Sequence, residues 1–211
     1  MDEPYYIAIE GVIGAGKTTL AELLAERLKS NLLLEKPEEN PFLIDFYRDR
    51  RRFAFQTQLF FLLSRFRQQE EFPQPDFFHK RVVADYLFAK DRIFASINLD
   101  DREFQLYEKV VALMEPRIPL PSLVVYLQSS TRRLMHNIRI RNRAYEKQIS
   151  EDYLNELNEA YNRFFWKYDA APLLVVNADN VDFANDKQHL ADLINAIDQP
   201  IQGTQYYNPT V

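Results

Sequence analysis

The sequence predicts an α/β protein, a five-stranded parallel sheet with helices on both faces. Two observations carry this expectation. Five short apolar or β-branched runs, at residues 5–10, 31–35, 81–85, 122–128 and 172–177, alternate with longer segments of helical periodicity, the order that parallel strands and helical crossovers impose. The first run leads directly into the glycine-rich stretch IEGVIGAGKTTL, and Leu20, Leu23, Leu24 and Leu28 then recur at helical spacing. A chain of 211 residues with 46% hydrophobic and 27% charged residues suits one domain with a well-buried core. That domain is assigned to residues 1–198. The remaining QPIQGTQYYNPTV, residues 199–211, has lost all periodicity and reads as a tail that is mobile or docks late.

Composition excludes several classes of function. A formal net charge of -5 and a sequence pI near 5.3 argue against a nucleic-acid polymer or an anionic membrane as partner, because both need a basic field over an extended face. The absence of cysteine removes disulfides, thiolate nucleophiles and cysteine-held metals together. The apolar runs are short and no charged-then-apolar leader opens the chain, so the expected compartment is the cytoplasm, without membrane span or signal peptide.

The loop after the first strand reads Gly11-x-x-x-x-Gly16-Lys17-Thr18, a P-loop in the context that the motif requires. Gly11, Gly14, Ala15, Gly16 and Thr19 belong to its curl of backbone N–H groups around phosphate oxygens, aided by the positive end of the following helix. Lys17 adds a point charge, and Thr18 a hydroxyl for Mg²⁺. P-loops serve hydrolysing switches as well as small-molecule kinases, and an acceptor site separates the two.

The second strand ends at Glu35, where parallel sheets bind ligands. Glu35 is thus a candidate base, with Glu38 and Glu39 competing on spacing alone. The helix that follows, around residues 53–69, is apolar on nearly every side and is expected to be mostly buried. Gln58 and Arg65 lie within about 20° on its wheel, but Gln56 and Arg67 also share a face. Periodicity leaves both pairs open as readers of a base edge.

The third strand ends in Asp85, a Walker-B-like carboxylate that would complete a Mg²⁺ site with Thr18; a cap for the next helix is the plainer reading. After the fourth strand, Arg132, Arg133, Arg139, Arg141 and Arg143 cluster in an otherwise acidic chain. They suit a lid near residues 132–146 that closes on polyphosphate. His136 among them reads as an incidental surface residue.

These stretches, IEGVIGAGKTT, LEKPEENPFLIDFYRD, RRFAFQTQLFFLLSRFRQQ, KDRIFA, VVYLQSS, HNIRIRNRAYEKQISEDYL and LVVNADNVDF, resemble the deoxyribonucleoside kinase family over nearly the whole chain, to about residue 185. The resemblance implies a P-loop nucleoside-kinase fold. It also implies an activity, transfer of the ATP γ-phosphate, with Mg²⁺, to the 5′-hydroxyl of a deoxynucleoside. A purine is favoured and deoxycytidine is a further acceptor.

By the same resemblance, Glu35 is the catalytic glutamate, Tyr47 and Glu146 hold the sugar 3′-hydroxyl, and Gln58, Arg65 and Asp91 read the base. Arg141 and Arg143 are lid arginines that act with Lys17 on the phosphates, and the enzyme is a homodimer. Two positions depart from the family. Asn137 stands where another lid arginine is usual, with Arg139 as the candidate substitute. The family's Glu/Asp-Arg-Ser becomes Asp85-Tyr86-Leu87, which keeps the carboxylate and loses the arginine, for which Arg92 or a lid arginine is the candidate replacement. The alternatives are a thymidylate-type monophosphate kinase, which Lys36 beside Glu35 keeps open, and a P-loop switch without a small-molecule acceptor.

Overall fold

Strand β1 (Tyr6–Gly11) is buried over its whole length, as an apolar run covered on both faces must be. The computed structural model describes residues 6–71 and 81–208; Tyr5, expected to open the first strand, and residues 209–211 of the tail lie outside these. Strands β2 (Asn31–Leu33), β3 (Val82–Ala84), β4 (Leu123–Gln128), β5 (Leu173–Asn177) and β6 (Thr204–Tyr207) join β1 in one sheet of order β2-β3-β1-β4-β5-β6. Every pairing is parallel.

Among the described residues the sheet therefore has six strands rather than the five expected. The sixth, within the tail, is mostly exposed, so it carries no apolar run for a sequence to reveal. Backbone hydrogen bonding holds it at the edge of β5, beginning where Leu173 N–H donates to Gly203 O at 2.9 Å.

Helices α1 (Lys17–Leu28), α2 (Leu43–Arg48), α3 (Arg50–Glu70), α4 (Lys90–Asn98), α5 (Asp101–Met114), α6 (Thr131–Arg141), α7 (Glu151–Trp166) and α8 (Lys187–Asp198) occur with the strands. Among the described residues, no helix is long and apolar enough to cross a membrane. The connection from β1 runs to one side, toward β2, and that from β3 crosses to β4 on the other, so a crevice opens beside β1 past the carboxyl ends of the strands.

Helix α3 corrects a second expectation, since it is buried along one stripe rather than on most sides. Ala54, Thr57, Gln58, Leu62, Arg65 and Gln69 form that stripe, while Leu63 is exposed. The stripe is unusually polar and borders the crevice. Its amides and guanidinium take up the turns that a purely structural helix would give to leucine.

One buried carboxylate ties the strand ends together. Glu10 is fully enclosed; its oxygens accept from Gly11 N–H (2.9 Å), Tyr161 Oη–H (3.1 Å) and Leu87 N–H (2.8 Å). The start of the P-loop, the turn after β3 and helix α7 are thereby fixed relative to one another, as a buried carboxylate demands of its surroundings.

Candidate active site

The P-loop connects β1 to α1, with Gly14 (φ 88°) and Gly16 (φ 95°) in the left-handed region that favours glycine. Space reinforces the choice. A Cβ on Gly14 would stand 2.8 Å from Leu134 O, and one on Gly16 would stand 2.9 Å from Cζ of Phe183. Glycine thus lets α6 and the segment after β5 approach the loop closely.

Lys17 folds back over this loop, its Nζ donating to Gly11 O at 2.8 Å and to Val12 O at 3.3 Å. Burial and then the nearby Lys90 draw its pKa down to about 8. Beside it, Thr18 Oγ1 donates to Asp85 Oδ2 at 2.6 Å, and the other Asp85 oxygen accepts from Glu35 N–H at 2.8 Å. Two oxygens of the kind Mg²⁺ takes thus meet at the mouth of the loop. They fit a hard cation whose remaining ligands are phosphate oxygens and water.

A cavity of about 420 Å³ opens from this point, lined among others by Lys17, Thr18, Glu35, Gln58, Arg65, Asp85 and Lys90. Glu35 sits in its wall, with Oε1 bonded to Arg65 Nε at 2.7 Å and to a terminal nitrogen of the same guanidinium, and Oε2 bonded to Lys90 Nζ at 2.8 Å. Burial alone would push this carboxyl up, but Arg65, Lys90 and Lys17 together outweigh it and hold the group well below the usual carboxylate range. Glu35 is therefore an ionised acceptor.

Arg65 lies over the ring of Phe61, 4.9 Å from its centroid, and its remaining terminal nitrogen bonds Asp91 Oδ1. Asp91 is thus behind Arg65 and does not itself line the cavity. Gln58 does, and its buried Oε1 has no hydrogen-bond partner among the described residues. A buried acceptor without a partner suits a ligand's donor.

The structure separates the pairs that periodicity left open. Gln58 and Arg65 are 2% and 4% exposed and face the cavity, whereas Gln56 bonds Arg52 O on the outside and Arg67 is exposed. The three glutamates separate too. Glu38 borders the cavity, and Glu39 is turned outward to an exposed Lys36 at 3.2 Å. Lys36 is thereby drawn toward Glu39.

Tyr47, Arg141, Arg143, Tyr145 and Glu146 also line the cavity. Helix α6 ends at Asn142, whose left-handed backbone (φ 50°) turns the chain back, so that Arg143 to Glu146 drop toward the cavity. Arg141 is bonded to Glu146 through two guanidinium nitrogens, and Arg143 bonds Tyr145 Oη at 2.8 Å. Burial, with Tyr153 and Glu146 close by, raises the Tyr47 hydroxyl well above its ordinary range, so it is a neutral donor.

A second cavity of about 350 Å³ lies on the other side of the loop, lined by Gly14, Ala15, Gly16, Thr19, Arg133, Asn137, Arg141 and the segment around Phe183. Gly14 and Arg141 border both cavities. Asn137 latches α6 to the P-loop by donating to Gly14 O at 2.8 Å, and Arg139 borders neither cavity.

Three side chains that follow β3 could not be placed from the sequence. Tyr86, beside Asp85, is fully buried with its hydroxyl on Gln69 at 3.3 Å, so that position sends its side chain away from the cavity. Arg92 is spent on Glu108 and Glu115. Lys90, which the sequence did not single out, reaches Glu35 instead. Its only signal was a lysine at the start of an amphipathic helix, a place that normally reads as solvated.

A phosphate loop, an adjoining hydroxyl–carboxylate pair and a part-buried carboxylate facing a small-molecule cavity define a P-loop phosphotransferase. The deoxynucleoside kinase family matches residues 7–202, and this chain belongs to it. It is 36% identical over 194 residues to a deoxyguanosine kinase of Bacillus subtilis (strain 168), covering 89% of this chain and 93% of the relative. It is 33% identical to a deoxyadenosine kinase of Dictyostelium discoideum, covering 98% and 84%. Among solved structures it is similar to deoxyadenosine kinase from M. mycoides with bound dATP, with TM-score 0.79 and 26% identity over 92% of this chain and all of that one. The chain is accordingly an ATP-dependent phosphotransferase of the deoxynucleoside kinase type.

Proposed function

We propose that the enzyme phosphorylates the 5′-hydroxyl of purine deoxynucleosides, with deoxycytidine as a further acceptor, using MgATP. The observation that carries this reading is Glu35, whose carboxylate is bonded to Arg65 in the wall of the larger cavity while its amide is bonded to Asp85 at the phosphate loop. The names of the relatives, deoxyguanosine and deoxyadenosine kinase, support the preference for purines.

In this reading, Gln58 takes the base edge with its side-chain amide, with Arg65 beside it and Asp91 bracing Arg65 from behind. Tyr47 and Glu146 take the sugar 3′-hydroxyl. The P-loop amides and Lys17 hold the donor's phosphates, and Arg141 and Arg143 close over them. Glu35 accepts the proton of the 5′-hydroxyl as the bond from O5′ to the γ-phosphorus forms. The bond from that phosphorus to the bridging oxygen breaks, and ADP leaves with the electron pair. A carboxylate held so acidic takes the proton late, when the attacking oxygen has become acidic, and positioning and charge stabilisation carry most of the acceleration. Thr18 and Asp85 would hold Mg²⁺, which when bound neutralises phosphate charge.

Exposed Leu63 on α3 and Leu106 and Leu113 on α5 supply apolar surface for a homodimer, which sedimentation tests directly. A reducing cytoplasm suits a chain without cysteine.

The deciding experiment is the initial rate of ATP-dependent phosphorylation across deoxyadenosine, deoxyguanosine, deoxycytidine, thymidine, the ribonucleosides and dTMP. Fast turnover of a purine deoxynucleoside is expected. Turnover of dTMP alone would overturn the reading in favour of a monophosphate kinase, and acceptor-independent hydrolysis alone would favour a switch.

A further inference from the structure

Lys90 is the first residue of α4 and is only 2% exposed. Lysine is rarely enclosed to this degree unless its ammonium has a fixed partner, and here the partner is Glu35 Oε2 at 2.8 Å. The other Glu35 oxygen is held by Arg65, which is itself divided between Glu35 and Asp91. Arg141 is engaged by Glu146, Arg143 by Tyr145, and Arg92 by two glutamates on the outer surface. Among the described residues, Arg65 and Lys90 are thus the cations bonded to Glu35, and Lys90 has no second anion.

We infer that Lys90 is a positioning residue for phosphoryl transfer: its ammonium clamps one oxygen of Glu35 and fixes the direction in which the carboxylate meets the acceptor hydroxyl. The inference rests on the reading of Glu35 as the proton acceptor. Arg65 stands between Glu35 and Asp91, beside the base-facing Gln58, so any shift toward a bound base loosens its hold on Glu35. Among the described residues Lys90 is bonded to no anion other than Glu35, and it keeps its hold through such a shift. The charged or titratable groups facing Glu35 are Arg65 from α3, Lys90 and Asp91 from α4, Lys17 from α1, Asp85 and Tyr86 after β3, and Tyr161 from α7. Removing Lys90 leaves a carboxylate with one shared cation.

The test is a double-mutant cycle in the full chain: kcat is measured for Lys90→Met, Lys90→Gln and Lys90→Arg, each alone and combined with Glu35→Gln. Lys90→Gln keeps a hydrogen-bonding group without the charge, and so guards against a fold lost to the methionine. In both neutral variants kcat should fall about tenfold to a hundredfold with KM for ATP unchanged, and Lys90→Arg should restore most of it.

On the Glu35→Gln background the same Lys90 substitutions should cost less than about threefold, because the group they orient is gone. An unchanged kcat in both neutral variants, or a loss as large on the Glu35→Gln background as on the unaltered one, overturns the inference. Full activity of Glu35→Gln alone refutes Glu35 as the proton acceptor, and with it the positioning role for catalysis.

Discussion

Thr18 and Asp85 are 67 residues apart in sequence and 2.6 Å apart in space, with the threonine hydroxyl donating to the carboxylate. The contact brings the first helical turn after the P-loop to the end of β3, and the second Asp85 oxygen extends it to the amide of Glu35. Asp85→Asn keeps the shape and weakens the oxygen as a ligand for a hard cation. The Mg²⁺ concentration for half-maximal rate should rise about tenfold or more, with KM for the nucleoside little changed. An unaltered Mg²⁺ titration would remove Asp85 from the metal site.

Glu35→Gln replaces the proton acceptor with a group of nearly the same size. We expect kcat to fall by about 10² to 10⁴, with ATP binding measured by calorimetry close to that of the unaltered enzyme. Full activity in this variant would transfer the role elsewhere, first to Glu38 at the cavity rim.

Lys17 sets the alkaline limb. Its pKa is drawn down to about 8 by burial and by Lys90, so it is charged below that pH and neutral above it. The loss of charge weakens its attraction for phosphate. Since kcat/KM reports the free enzyme, kcat/KM for ATP should fall as pH rises through about 8. At saturating ATP the phosphates favour the ammonium, and the limb in kcat should lie higher. Identical limbs in the two profiles would argue against Lys17 as their source.

Arg65 is enclosed between two carboxylates, Glu35 and Asp91. Arg65→Met leaves Asp91 enclosed with its cation gone, and breaking a buried pair from one side costs about 3–5 kcal/mol. Denaturant unfolding should register a loss of that order. The same variant should also weaken nucleoside binding, whereas exposed Arg67→Met should change neither quantity.

Gln58 offers a buried oxygen without a partner. Gln58→Ala should raise KM for the favoured nucleoside about tenfold to a hundredfold, with KM for ATP unchanged. Gln56→Ala is the control, because its amide is spent on Arg52 O at the surface. Equal effects from the two would mean that the base is read elsewhere.

The sequence by itself determined the α/β architecture, the P-loop and its strand–helix setting, and the family. These depend on short-range patterns: apolar runs of strand length, helical periodicity, and glycines at fixed offsets before a lysine and a threonine. It also placed Glu35 and Asp85 at strand ends, since the end of an apolar run is visible in one dimension.

Only the tertiary structure decided which polar residues of α3 face inward, because Gln56 with Arg67 and Gln58 with Arg65 satisfy the same wheel. The choice came from the elements packed against that helix. It likewise decided that Tyr86 turns into the core toward Gln69 and that Lys90, one turn further on, supplies a cation to Glu35. A lysine's reach and its partner depend on which strand end lies opposite, and that is a property of the sheet order. The sixth strand was illegible for a related reason: an exposed edge strand is held by backbone hydrogen bonds that every residue can make, so its side chains need carry no pattern.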